Sequence, residues 1–150
     1  MQKIISQLEQ IISDYTTQLK QLNEDDFAYK PSSIKWSGKE CLGHLIDSAL
    51  NNARRFIVAQ HEDKPFIVYD QEKWVSASGY QNYQLKDLIE FWILINKHIV
   101  IILKNIPEQY LKKEVQTQEL HSINWLAADY NKHLLHHLHQ VLHLEAVAYP

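Results

Sequence analysis

His133 and His137 stand four residues apart in the run Asn131-Lys132-His133-Leu134-Leu135-His136-His137. In a helix, residues at that spacing project from successive turns of one face, with β-carbons about 5–6 Å apart. Two imidazoles so placed can chelate one divalent ion. The spacing recurs in His139 and His143, within a chain that carries nine histidines in 150 residues. The apolar stripe Leu126, Tyr130, Leu134, Leu138 and Val141 separates the two pairs. His133 and His137 share the side of Leu126, Tyr130 and Leu134, whereas His136, His139 and His143 fall with Lys132 on a face that reads as solvated. A buried imidazole needs a partner for each ring nitrogen, and a metal serves one of them. His133 and His137 are therefore the interior pair.

A third ligand has to come from another segment, and His44 and His98 are the candidates. His44 sits on the edge of the stripe Leu42, Leu45 and Ile46 and is favoured over His98, which flanks Lys97. Spacing alone leaves a plainer alternative open, in which these are hydrogen-bonded histidines that hold no ion. Three neutral histidines leave coordination positions for water or substrate, the layout of a catalytic site; structural zinc is usually closed by four protein ligands. All-nitrogen ligation suits Zn²⁺, Ni²⁺, Fe²⁺ or Cu²⁺. Such an ion would either acidify a bound water, giving a hydrolase, or bind a substrate thiolate, giving a thiol S-transferase.

Three further side chains are candidates for the catalytic machinery. Asp129, one turn before His133, can accept that ring's second N–H or simply favour the helix dipole. Asp47, three residues after His44, can support the ligand or act as a general base, or be a solvated helix residue. Arg55, further along the His44 side, offers a planar fork for an anionic substrate group, or a surface ion pair. Tyr130 and Gln140 line the pocket from the last helix or merely pack. Trp36 and Trp74 read as packing residues, and Cys41 as a small buried one.

Four segments with helical periodicity must position these groups. The first spans about Gln2 to Leu22, with Ile4, Ile5, Leu8, Ile11, Ile12, Tyr15 and Leu19 on one face, and ends before a turn-like stretch Asn23 to Asp26. Ser37-Gly38-Lys39-Glu40 has the form of a capping box and starts a helix from Gly38 to about His61. Tyr69 to Trp74 suggests a short helical turn closed by Gly79. A third long helix covers Leu85 to Asn105 before Pro107. A polar connection, Glu108 to His121, leads to Ser122, the N-cap of a last helix from Ile123 to about Ala146. Four long helices with lengthy connections predict an all-α four-helix bundle, not necessarily a simple up-down one.

Composition narrows the class. A length of 150 residues fits a single domain, residues 1–150, large enough for a real core. Three glycines and four prolines argue against a sandwich or barrel with many tight turns. The formal charge is −3 and the densest basic spots are the pairs Arg54-Arg55 and Lys112-Lys113, so no nucleic-acid partner is expected. The apolar stretch Ile99 to Leu103 is far short of a membrane span. One cysteine and an amphipathic N-terminal segment, in place of a signal peptide, point to the cytoplasm.

Several stretches resemble one family. WSGKECLGHLIDS (Trp36 to Ser48), NNARRF (Asn51 to Phe56), YDQEKW (Tyr69 to Trp74) and WLAADYNKHLLHHLHQV (Trp125 to Val141) are similar to the DinB-like superfamily, particularly its branch of YfiT-type metal-dependent hydrolases and bacillithiol transferases. The resemblance implies a four-helix bundle, often a homodimer. It also implies a divalent metal of unknown identity (Zn, Ni or Fe) held by one histidine of the second helix and two of the last. Mapped by motif, these are His44, His133 and His137. The partner so implied is a small-molecule substrate, possibly a thiol. A non-catalytic metal-binding or stress-response bundle is the alternative.

Overall fold

The computed structural model describes residues 1–149. Four long helices, α1 (Gln2–Leu19), α3 (Gly38–Val58), α5 (Leu85–Asn105) and α6 (Ile123–Val141), form a four-helix bundle. Two short helices, α2 (Glu24–Ala28) and α4 (Gln71–Ser78), lie in the connections. Helix starts follow the local chemistry. The Ser37 hydroxyl accepts the Glu40 amide at 3.1 Å while the Glu40 carboxylate accepts the Ser37 amide at 2.8 Å, the reciprocal box expected there. Asp70 caps α4 through the Lys73 amide, and Ser122 caps α6 through the Trp125 amide. Such caps are worth about 1 kcal/mol each.

The boundaries depart from the sequence reading in four places. The first helix stops at Leu19, and the acidic stretch read as a turn is itself helix α2, because the Asn23 side chain accepts the amides of Asp25 and Asp26. Helix α3 ends at Val58. The polar connection after α5 holds an antiparallel hairpin, β1 (Glu114–Gln116) with β2 (Leu120–Ser122), in which Glu114 faces Ser122. The last helix ends at Val141, after which His143 adopts the left-handed region at φ 53° and turns the chain back.

Each long helix packs on two others. Helix α3 packs on α5 and α6, and α1 also packs on α5 and α6. Consecutive long helices α1 and α3 therefore sit across one diagonal, and α5 and α6 across the other. The core is filled by Leu8, Leu42, Leu45, Phe56, Leu88, Trp92, Ile99 and Leu134. A buried hydrogen bond crosses it, from the Tyr130 hydroxyl to Asn96 Oδ1 at 2.7 Å. The buried Lys39 pairs with Glu24 and donates to the Tyr83 carbonyl, while Glu24 accepts the Leu85 amide, so that α2, α3 and the start of α5 are tied at one end.

The second connection is seated by a glycine. A β-carbon at Gly43, inside α3, would lie 2.1 Å from the Tyr80 ring, and Tyr80 donates to Asp47 Oδ1 at 2.5 Å one turn further along α3. In an unconstrained helix, Gly→Ala stabilises by about 1 kcal/mol. Here the ring has to move, and overpacking of that kind costs about 1–3 kcal/mol. Gly43→Ala is therefore expected to lower the midpoint of urea unfolding; a midpoint equal to or above that of the unchanged chain would refute this packing account.

Candidate metal centre

The adjacency of α3 and α6 brings His44 against His133 and His137. The three rings form a nearly equilateral triangle, with centroid separations of 5.0 Å (His44–His133), 4.9 Å (His44–His137) and 4.7 Å (His133–His137). Each pair meets edge to face, at 76°, 77° and 71°. His44 Nε2 and His133 Nε2 are 3.0 Å apart, and one nitrogen from each ring falls within 4.8 Å of the others. Tetrahedral ligation with metal–nitrogen bonds of about 2.0–2.1 Å places ligand nitrogens roughly 3.3 Å apart, so these residues fit a divalent ion. His98, the other candidate for third ligand, is exposed on α5.

The rings are also in the form that binds metal. Burial holds His44 down at about 4 and His133 at about 2, with the neighbouring histidines adding to the effect, and it lowers His137 as well. Neutral imidazoles result, and neutral imidazole is the ligating species. Protein groups orient two of the three. Ser48 Oγ faces His133 Nδ1 at 3.4 Å, and Gln140 Oε1 faces His137 Nδ1 at 3.1 Å, which leaves each Nε2 for an ion. His44 Nδ1 is buried without a hydrogen-bond partner. The Trp36 ring lies over His44 at 5.1 Å and shields it from water.

The other candidates lie around this triangle in less direct positions. The Asp129 carboxylate accepts the Tyr149 hydroxyl at 2.8 Å, and the position beside His133 Nδ1 expected for Asp129 belongs to Ser48. Asp47 is not a solvated residue. It is 1% exposed, one oxygen accepts from Tyr80, the other has no partner, and desolvation raises its pKa. Arg55 donates through Nε and Nη2 to the Ile67 carbonyl and through Nη1 to Asn52, and is half-buried beside the Tyr69 ring. Among the described residues no carboxylate lies within 4.0 Å of its guanidinium. Tyr130 packs in the core, while Gln140 reaches His137. Cys41 Sγ is 3.7 Å from His137 Nδ1, and burial pushes the thiol up to about 12, so it stays protonated.

Sequence reasoning does not single out Ser48, Tyr80 or Tyr149. Ser48 is the one that periodicity could have supplied, since it lies one turn beyond His44 on the same helix. A groove of about 720 Å³ opens beside the triangle, with His137 and Cys41 on its wall and Phe27, Tyr29, Ile34 and Trp36 around it.

The sequence profile of the DinB superfamily matches residues 7–141. The chain belongs to the DinB superfamily. A relative from Oceanobacillus iheyensis described as a "putative metal-dependent hydrolase" is 25% identical over 142 residues, which cover 89% of this chain and 79% of that one. The fold is similar to that of Bacillus subtilis YfiT, described as "a probable metal-dependent hydrolase with an unusual four-helix bundle topology". That match has a TM-score of 0.84 and 18% identity, and covers 95% of this chain and 83% of YfiT. A mycothiol-dependent maleylpyruvate isomerase, in a mutant form, matches with a TM-score of 0.80 and 13% identity, over 97% of this chain and 61% of the isomerase.

The neutral rings have a consequence for acid stability of the metal-free chain. An unfolded imidazole takes up a proton below its ordinary value of 6.5, whereas folded His44 does so only near 4. Proton uptake at His44 therefore leaves stability unaffected above pH 6.5 and lowers it as pH falls from 6.5 towards 4, by up to about 1.4 kcal/mol per pH unit. Asp47, raised by burial, acts with the opposite sign at the acid end. The informative quantity is thus the difference between the unchanged chain and His44→Gln, followed by urea unfolding in EDTA. The variant is expected to lose less stability between pH 6.5 and 4.5; parallel curves would contradict a ring that stays neutral.

Proposed function

We propose that the chain is a metal-dependent enzyme that acts on a small molecule, by hydrolysis or by transfer of a low-molecular-weight thiol, at a centre held by His44, His133 and His137. One observation carries this reading: three neutral imidazoles from two helices converge within 4.8 Å beside an open groove, and no fourth metal-ligating residue joins their cluster among the described residues. A closed structural site would need that fourth ligand. The hydrolase descriptions of the Oceanobacillus relative and of YfiT support the hydrolytic form. The thiol dependence of the isomerase with a similar fold supports the other. A bound divalent ion supplies Lewis acidity towards a water or a thiol.

The chain's own residues do the rest. Ser48 and Gln140 hold two rings in register. Trp36 keeps water from the outer face of His44. Arg55 has N–H groups left over after Ile67 and Asn52 are served, and these can hold an anionic group of the substrate. Asp129 acts on the site through Tyr149, and Asp47 keeps a buried negative or protonated group one turn from His44. The same reading takes the chain as one cytoplasmic domain working as a homodimer. A single buried cysteine, which can form no disulfide within the chain, supports the cytoplasmic part of this reading.

Plasma mass spectrometry on untagged protein tests the centre. The unchanged chain should carry close to one zinc, nickel or iron ion, and His133→Ala should lose it while keeping its helical circular dichroism. If the unchanged chain takes up none of these ions even after reloading, the enzyme reading fails. Given uptake, paired assays of ester hydrolysis and thiol conjugation decide between the two reactions.

A further inference from the structure

The segment that follows α6 is fastened back along that helix by polar side chains. The turn is a Schellman motif: the Leu144 amide donates to the His139 carbonyl at 2.9 Å, and the His143 amide to the Gln140 carbonyl at 3.4 Å. The residue in the left-handed position is His143, not the usual glycine. A side chain there is disfavoured by about 1–2 kcal/mol, so the reversal depends on what the returning segment binds.

Three contacts hold that segment, at alternate residues. His139 Nδ1 donates to the Glu145 carbonyl at 2.6 Å, and its Nε2 lies 2.6 Å from the Tyr15 hydroxyl of α1. His136 Nδ1 donates to the Val147 carbonyl at 2.7 Å. Tyr149 donates to Asp129 at 2.8 Å. The histidines that periodicity assigns to a solvated face are thus the clasps of a strap. The strap delivers one side chain to the metal centre: the Tyr149 ring meets His133 edge to face at 5.4 Å and lies 5.8 Å from His136.

We propose that Tyr149 is a substrate-binding residue of the three-histidine site, a proposal that rests on reading that site as a metal centre. The Tyr149 proton is committed to Asp129, which leaves lone pairs of its oxygen free to accept. With its ring against His133, this phenol oxygen is placed to accept from a ligand that carries a second protic group, an O–H or N–H, beside the one that reaches the histidine triangle. The class of substrate is therefore a small bifunctional molecule, such as a thiol with a neighbouring hydroxyl or amine. This also gives Asp129 a role, since its carboxylate accepts the Tyr149 hydroxyl and so orients it.

Two thiols of similar size test this on the full chain loaded with Co²⁺, whose absorption spectrum reports both metal uptake and thiol binding. 2-Mercaptoethanol carries the second protic group and ethanethiol does not. Tyr149→Phe is expected to take up Co²⁺ and bind ethanethiol as the unchanged chain does, while its affinity for 2-mercaptoethanol falls about 5-fold, the size of one lost hydrogen bond. Asp129→Ala should shift the same comparison in the same direction. Equal weakening of both thiols would make Tyr149 a packing residue and overturn the proposal, as would no change in either. Failure of the unchanged chain to take up Co²⁺ would overturn the metal centre itself, and this proposal with it.

Discussion

Two helices can share one ion only where they are neighbours, and the packing of α3 against α6 meets that condition. In an up-down bundle the second and fourth helices face each other across a diagonal, too far apart for imidazoles to touch through a filled core. Here the diagonals are taken by consecutive helices instead, α1 with α3 and α5 with α6. His44 then meets His133 and His137 across a direct interface, with Ser48 and Trp36 in place around them. The connections from α1 to α3 and from α5 to α6 are the cost of this arrangement, since a chain that skips to a diagonal position must travel over an end of the bundle. The buried Lys39 anchors the first of those passages, from α1 to α3, while the seat that Gly43 gives Tyr80 anchors the connection between the neighbours α3 and α5.

Two of the four buried side-chain polar atoms left without a partner among the described residues lie on the helix that carries His44. His44 Nδ1 and Asp47 Oδ2, one turn apart on α3, are both buried without partners. Each orphan of that kind costs about 1–3 kcal/mol. Two more such atoms, Trp92 Nε1 on α5 and Asn131 Oδ1 on α6, lie elsewhere in the core, where Tyr130 pairs with Asn96. Unpaired groups gathered on the helix that carries a ligand are what a site shaped for binding, and not for stability alone, would contain.

The bundle and the His133/His137 pair were legible because both depend on short-range periodicity, whereas His44 was singled out by its place at the edge of an apolar stripe together with the family resemblance. Spacing of three and four residues marked the long helices, the Ser37 box marked the start of α3, and the His133/His137 spacing marked a shared face. What failed was the assumption that only helices cover helices. His136 and His139 looked solvated on a helical wheel, yet the strap after α6 covers them, and nothing in helical spacing encodes a strap. Spacing left Asp129 either a partner for His133 or an acid favoured by the helix dipole, whereas the side chain beside His133 Nδ1 is Ser48, which approaches from α3. The hairpin at β1 and β2 is three residues long on each side, too short to show an alternation. Helix α2 was hidden because its stability comes from the Asn23 cap and the Lys39 pair, a local and a distant contact, not from an apolar stripe.

The crossed arrangement of the helices has a temporal side. Neither the α1–α3 step nor the α5–α6 step can dock as a hairpin of neighbours, because each pair ends on a diagonal. Apart from α3 with α5, the interfaces that form join segments far apart along the chain, which raises the loop entropy to be overcome before those contacts are rewarded. On the ribosome, α3 would emerge with half of its eventual surface bare and stay so until α6 followed it out. The ion-binding nitrogens are therefore among the last groups to be assembled, and any metal can join only a chain that has already finished choosing its fold.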